Sequence, residues 1–262
     1  PETADLFSPA LEQLLGPRRR PGEPVDDRAR DLAASAQARY EEVFLDLLRA
    51  LHRRYGLDAL ALAGGCAQNS VANGKIHAAT PFRRVYVAAA AGDGGGALGA
   101  ALAVRSTVSE RCAPIGLDHA YLGPKYEPKY VDSVLAANAQ RLQAESCSVV
   151  RPDDEDRLCR TVAGYVKDGL VVGWFQGRME WGPRALGNRS ILADPRRSDI
   201  RELLNLKIKR RESFRPFAPS ALAEHAHEWF DLAEDIPFMS SVVPVRPDRR
   251  SAIPAVTHVD GS

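Results

Sequence analysis

Two consecutive segments share one plan, and that repetition restricts the fold more than any other feature of the chain. In "DALALAGGCAQNSVANGKI", a short apolar run at 59–63 reads as a buried strand, Gly64 and Gly65 as a tight loop, and about 69–76 as a helix. "RVYVAAAAGDGGGALGAALAV" follows, with a strand at 85–88, a glycine loop around Asp93 and a helix at 97–104. Successive strand, glycine-loop, helix units imply an α/β layer with the loops gathered at one edge of the sheet. Ahead of them, Leu32, Ala36, Tyr40, Val43, Leu47 and Leu51 recur at spacings of three and four. That stripe predicts one long helix, capped by Asp26 or Asp27, ended by Gly56, and with the stripe in the core.

From about 105 to 128 the pattern lapses into turn and polar residues, and a domain boundary is expected there. The second region predicts helices at 131–144 and 156–167, then a strand at 170–175 that runs into "GRMEWGPRALGNRS". "SDIRELLNLKIK" reads as a further helix, and "SFRPFAPSAL" as an extended segment held by its prolines. A chain of 262 residues is long enough for two modest domains. It begins without Met and stops at "THVDGS" with no terminal element, so an internal piece of a longer protein is expected.

With 45% hydrophobic and 26% charged residues the composition is that of an ordinary globular protein. No apolar run approaches a membrane span and no secretory signal opens the chain, so a cytoplasmic location is expected. Cys66, Cys112, Cys147 and Cys159 are scattered, as suits free thiols, and no Cys and His cluster suggests zinc. His225 and His227, two apart, would face different sides of a helix. Cys66 has no nearby His to activate it and reads as a small buried residue. A net charge of +1 makes no electrostatic case for nucleic acid. The charge is uneven, however: residues 178–215 hold eleven Lys or Arg against five Asp or Glu.

That basic segment carries the sharper chemistry. An arginine fork matches phosphate or carboxylate, and in "GRMEWGPRALGNRS" Pro183 stiffens the backbone before Arg184 while Gly182 and Gly187 let it turn. Glu180 could orient one of the arginines by pairing with it. "LNLKIKRRESFRPFAPS" adds Lys207, Lys209, Arg210, Arg211 and Arg215, with Phe214, Pro216 and Phe217 expected to bury the stretch and force its charges to find partners. A solvated basic face is the alternative. In the first half, Gly64-Gly65 and Gly94-Gly95-Gly96 could cradle phosphate or could simply be packing turns. Asp93, between glycines, could reach a metal ion or a ribose, or bond its own backbone as a turn-former.

At these residues the chain resembles the carbamoyltransferase family of the NodU and CmcH type, which places a carbamoyl group on a hydroxyl of a sugar, antibiotic or other natural product. "LAGGCAQNSVANGKI" and "AAGDGGGALGAAL" resemble the later part of its actin-like (ASKHA) ATPase-type domain; "GRMEWGPRALGNRSILADPR", "KIKRRESFRPFAPS" and "PAVTHVDG" resemble its YrdC-like domain. The resemblance implies an α/β architecture with the C-terminal part of the actin-like domain at 1–115, and an α+β YrdC-like domain, truncated at its C-terminal end, at 116–262. It implies that carbamoyl phosphate and ATP give carbamoyl adenylate and pyrophosphate, and that a metal-assisted transfer to a small-molecule hydroxyl then releases AMP. Arg184, Lys209 and Arg215 match the positions that grip carbamoyl phosphate. Gly65 and Asn69 match the nucleotide-binding turn, with Gly95 assigned to ATP beside them, and Asp93 matches an aspartate that ligates a divalent metal, iron(II) or a similar ion; Mg2+ could accompany ATP.

Two further metal ligands of the family form an H-x-x-x-H pair, which this sequence lacks. A family arginine soon after "HVDG" falls past Ser262, so the chain is expected to hold only parts of both sites. Two other readings compete: transfer of a threonylcarbamoyl-type group to tRNA, and a nucleotide-binding actin-like module without catalysis. No membrane or nucleic-acid partner is expected, and a homo-oligomer is compatible with the sequence.

Overall fold

In a computed structural model, residues 7–108 and 116–262 are described; Cys112 and the boundary expected at 115 lie outside them. A short helix α1 (Pro9–Leu15) precedes the long α2 (Asp27–Tyr55). The Asp26 carboxylate accepts from the Ala29 amide at 2.8 Å, and Gly56, at φ 63°, ends the helix by donating to His52 O. Both expected stops are therefore present, but the buried face is not the expected one. Leu45 and Leu48 are buried, whereas Val43 and Leu47 are 53% and 56% exposed. Between Val43 and Leu51 apolar residues occur on both sides of the helix, so spacing alone could not choose between them.

Strand β1 (Ala59–Leu62) pairs in parallel with β2 (Arg84–Val87), Ala59 opposite Arg84 and Leu62 opposite Val87. Among the described residues no further strand joins them, and β1 is half exposed rather than buried. The expected helix at 69–76 is instead a 3-10 turn (Gly65–Gln68) followed by α3 (Ser70–Gly74) and α4 (Ile76–Ala79). Leu45, Leu48, Ile76 and Phe82 form the core between α2, α4 and the sheet. Each such burial stabilises the unit by roughly 1.5–3 kcal/mol. After β2 a glycine turn leads into α5 (Gly95–Val108).

The expected helix at 131–144 is split into α6 (Pro128–Ala137) and α7 (Ala139–Ala144). The Asn138 amide between them donates to Val134 O at 2.8 Å, which competes with regular helix continuation. Next, α8 (Glu155–Lys167) is capped by Asp154 through the Arg157 amide. Strands β3 (Val172–Phe175) and β4 (Arg189–Leu192) are antiparallel, with Phe175 opposite Arg189, so residues 176–188 form the loop of this hairpin. The helix expected over "SDIRELLNLKIK" is α9 (Ile200–Leu203) continued by a π turn, Leu204–Lys209. Ile200, Leu204 and Ala255 form the second core with Ile191 and Phe217 packed on it. "SFRPFAPSAL" belongs to no regular helix or strand; a 3-10 turn (Ala223–His225) then leads into α10 (Ala226–Trp229), and the rest of the chain is largely irregular.

Contacts join the two halves at α3. The buried Asn73 amide donates to Ala67 O and to Ser240 O, both at 2.8 Å, and the Val242 amide donates to Ser70 O at 2.9 Å. Gly74 is required there, since a Cβ would stand 1.8 Å from Val242 O. No helix among the described residues is long and apolar enough to cross a membrane.

Candidate anion-binding site

The loop between β3 and β4 is built around a buried carboxylate. The Glu180 side chain is fully inaccessible. Its Oε1 accepts from the amides of Leu186 at 2.5 Å and Asn188 at 2.8 Å, and its Oε2 accepts from Arg189 Nε at 3.0 Å. Burial by itself would raise the Glu180 pKa; the amides of Leu186, Asn188 and Glu180 itself, with the Arg189 guanidinium, outweigh that and hold it at about 2. The expected pairing of Glu180 with an arginine is thus present, and the partner is Arg189. Gly182 and Gly187 take φ values of 115° and 111°, which only glycine adopts without strain, so the tight turns expected on either side of Arg184 are there.

Outside contacts fix the same loop. Trp181 N donates to Ala120 O at 2.6 Å, Met179 N to Pro124 O at 2.9 Å, and Tyr121 Oη to Leu186 O at 2.8 Å. Arg178 is used up as a strut, its Nε on Gly123 O at 3.0 Å. Arg189 also reaches Arg184 O, at 3.5 Å. The Arg184 guanidinium itself is exposed and, among the described residues, makes no hydrogen bond or ion pair. A rigid loop thus presents an unspent cation, the arrangement that anion binding needs.

The second basic stretch is held differently from expectation. Phe214 is 62% exposed and Pro216 is exposed, so burial does not secure this segment. Instead the fully buried Asn205 ties it down, donating from Nδ2 to Ser213 O at 3.1 Å and Arg215 O at 2.8 Å. Asn205 Oδ1 accepts from Arg211 Nε at 2.7 Å, and Arg211 lies over the Phe217 ring at 4.9 Å. Arg215 Nε donates to Glu212 at 2.8 Å, while Lys209 is exposed with no partner among the described residues. Sequence reading missed Asn205; its one signal was a polar residue inside the apolar run "LLNL".

The local excess of positive charge is sorted by these contacts. Glu180 takes Arg189, Asp194 takes Arg196, Asp199 takes Arg197 and Glu212 takes Arg215. Arg178 and Arg211 are spent on carbonyls and on Asn205, and Arg184, Arg201, Lys207, Lys209 and Arg210 are left, among the described residues, without a side-chain partner.

In the first half the candidate residues differ in how free they are. Asn69 Oδ1 caps α3 through the Ala72 amide at 3.1 Å, and the Asn69 and Gln37 amides bond each other at 3.0 and 3.2 Å. Around Gly65 there is open space, whereas a Cβ at Gly95 would stand 2.3 Å from Ala90 O, a close-packing requirement. The exposed Asp93 carboxylate makes no hydrogen bond among the described residues, so it is not a turn-former bonding its own backbone. Nor do three or more His, Cys, Asp or Glu gather among the described residues. One carboxylate does not make an iron site, and the described residues do not build one. His225 pairs with Glu228 at 2.7 Å. Cys66, read as a buried residue, is exposed, because the 3-10 turn that carries it buries Ala67 instead. A cavity of about 1050 Å³ lies between α3, α4, β2 and residues 231–244, and none of the seven candidate residues lines it.

Fold and loops together describe a mixed helix-and-strand protein that presents an arginine to solvent from a rigid hairpin loop. Residues 2–102 match the family model described as carbamoyltransferase N-terminus, and residues 163–262 the one described as carbamoyltransferase C-terminus. The chain belongs to the carbamoyltransferase family. It is 42% identical to the uncharacterized protein sll1178 of Synechocystis sp., over 99% of this chain and 44% of that protein. It is 40% identical to nodulation protein NolNO of Sinorhizobium fredii, over 98% of this chain and 37% of that one. With the 3'-hydroxymethylcephem-O-carbamoyltransferase of Amycolatopsis lactamdurans it shares 36% identity, over 78% of this chain and 35% of the relative. The chain spans less than half the length of these relatives.

Proposed function

We propose that the chain contributes the carbamoyl phosphate site of an ATP-dependent O-carbamoyltransferase. The observation that carries the reading is the exposed, partnerless Arg184 guanidinium on a loop locked by the buried Glu180. Lys209 joins it as a second grip on the donor, and Arg215, whose Nε is held by Glu212, would contribute its terminal Nη groups. Carbamoyl phosphate is anionic and labile, and fixed cations hold it without reorganisation at the moment of reaction. In this reading residues 116–262 form a YrdC-like unit where carbamoyl phosphate, ATP and one water become carbamoyl adenylate, phosphate and pyrophosphate overall. Residues 1–115 belong to an actin-like (ASKHA) unit where the carbamoyl group passes to a small-molecule hydroxyl. A cephem is the kind of acceptor one relative is named for.

ATP would meet the open backbone at Gly65 and the turn before Gly95. Asn69 would have to give up its Gln37 pairing to contribute its side chain. Asp93 is the one carboxylate that this chain would offer to a divalent metal. The test is ATP titration with and without carbamoyl phosphate. Affinity for ATP that rises when carbamoyl phosphate is present supports the transferase reading; identical curves favour a nucleotide-binding module without carbamoyl chemistry.

A further inference from the structure

We propose that Asn205 is the positioning residue for Arg215, and that its carboxamide sets the place from which that guanidinium meets the anion. The inference rests on the donor-site reading above and deepens it. Asn205 lies at the second residue of the π turn, fully buried. Its backbone carbonyl accepts from the amides of Arg210 and Arg211, while Arg210 takes the left-handed conformation at φ 49°. The chain is thereby reversed, and residues 211–217 fold back over Asn205.

The side chain then holds what returns. Both Nδ2 hydrogens go to carbonyls, those of Ser213 and Arg215, and Oδ1 takes the Arg211 Nε. Turning the amide over would set its NH2 group against a guanidinium and its oxygen against two carbonyls, so the network admits one orientation. Arg211 closes the other side, donating to Pro216 O at 3.4 Å and covering Phe217. Because Phe214 and Arg215 are exposed and contribute little burial, the backbone of 213–215 is ordered chiefly by this carboxamide. An aspartate there would keep the Arg211 contact and lose both donors. That makes Asn the residue type the geometry demands.

Asn205→Asp removes the two donors and sets a carboxylate oxygen against the Ser213 and Arg215 carbonyls. 15N relaxation should find Ser213 and Arg215 near the rigid-backbone order parameter of about 0.85 in the unaltered chain, and below about 0.6 in Asn205→Asp. Calorimetric titration with carbamoyl phosphate should lose roughly 10–150-fold in affinity for Asn205→Asp, the scale of one charged contact, and the same for Arg215→Ala. The double variant should be no weaker than Arg215→Ala alone, because both changes remove one interaction. A purely structural Asn205 would add its loss to that of Arg215→Ala in the double variant, which overturns the proposal. So does a 213–215 segment already mobile in the unaltered chain, a result that stands even where Asn205→Asp does not fold. If the unaltered chain binds no carbamoyl phosphate while the relaxation contrast holds, the donor-site reading fails and the ordering role of Asn205 survives it.

Discussion

Gly182 of the arginine loop lies directly against Ala89, the second residue past β2: a Cβ on Gly182 would stand 2.9 Å from Ala89 O and 3.4 Å from the Ala90 Cβ. The loop that presents Arg184 is therefore seated at the end of the first sheet, four residues before Asp93. Sequence reading assigned these two loops to separate units, and nothing in their residues indicated that they touch.

Gly182→Ala should accordingly cost about 1–3 kcal/mol from the φ of 115° alone, with the Ala89 contact adding to it. Urea unfolding measures this. A variant as stable as the parent would mean that the loop does not seat on Ala89.

Gly74→Ala tests the seam between the halves. Its Cβ would meet the Val242 carbonyl at 1.8 Å, and backbone on both sides leaves little room to give. Overpacking of this kind costs typically about 1–3 kcal/mol and occasionally more. Thermal unfolding should show a clear fall in midpoint, and no fall would place Val242 elsewhere.

Glu180 gives the loop a pH limit. Its folded pKa of about 2 lies below the ordinary 4.5, so its stabilisation is fully present above 4.5 and is lost as pH falls from there towards about 2. The amide resonances of Leu186 and Asn188 should hold steady through pH 4.5 and move together only as pH approaches about 2. Glu180→Gln should weaken the loop by about 1.5–3 kcal/mol, the value of a charged hydrogen bond, at neutral pH. Titration of these amides at an ordinary carboxylate pKa would contradict the geometry.

Asp93→Asn should leave the urea midpoint unchanged, because among the described residues the carboxylate has no partner to lose. A destabilised variant would mean that Asp93 is held by the fold after all.

Much of the fold was legible because its signals are local. Asp26 and Gly56 bound α2, Asp154 starts α8, and the two strand-and-glycine segments became the parallel pair β1 and β2. The buried face of α2 was not legible, since Phe44, Leu45 and Leu48 satisfy helical spacing as well as Val43 and Leu47 do. The π turn was hidden too: its i→i+5 bonding leaves no mark in a pattern read at 3.6 residues per turn. In the candidate site, Arg184 stood out by its company of Gly and Pro, and Glu180 by being the lone acid among arginines. Asn205 did not, because its partners Ser213 and Arg215 lie eight and ten residues on, across a turn that only the fold creates.

Whether Arg184 grips the carbamoyl donor is decided by calorimetric titration of the chain with carbamoyl phosphate, beside inorganic phosphate and beside Arg184→Ala. Carbamoyl phosphate should bind more tightly than phosphate and be weakened by about 1.5–3 kcal/mol in the variant, the loss of one charged contact. Equal affinity in the folded Arg184→Ala chain, or no preference over phosphate, would contradict it.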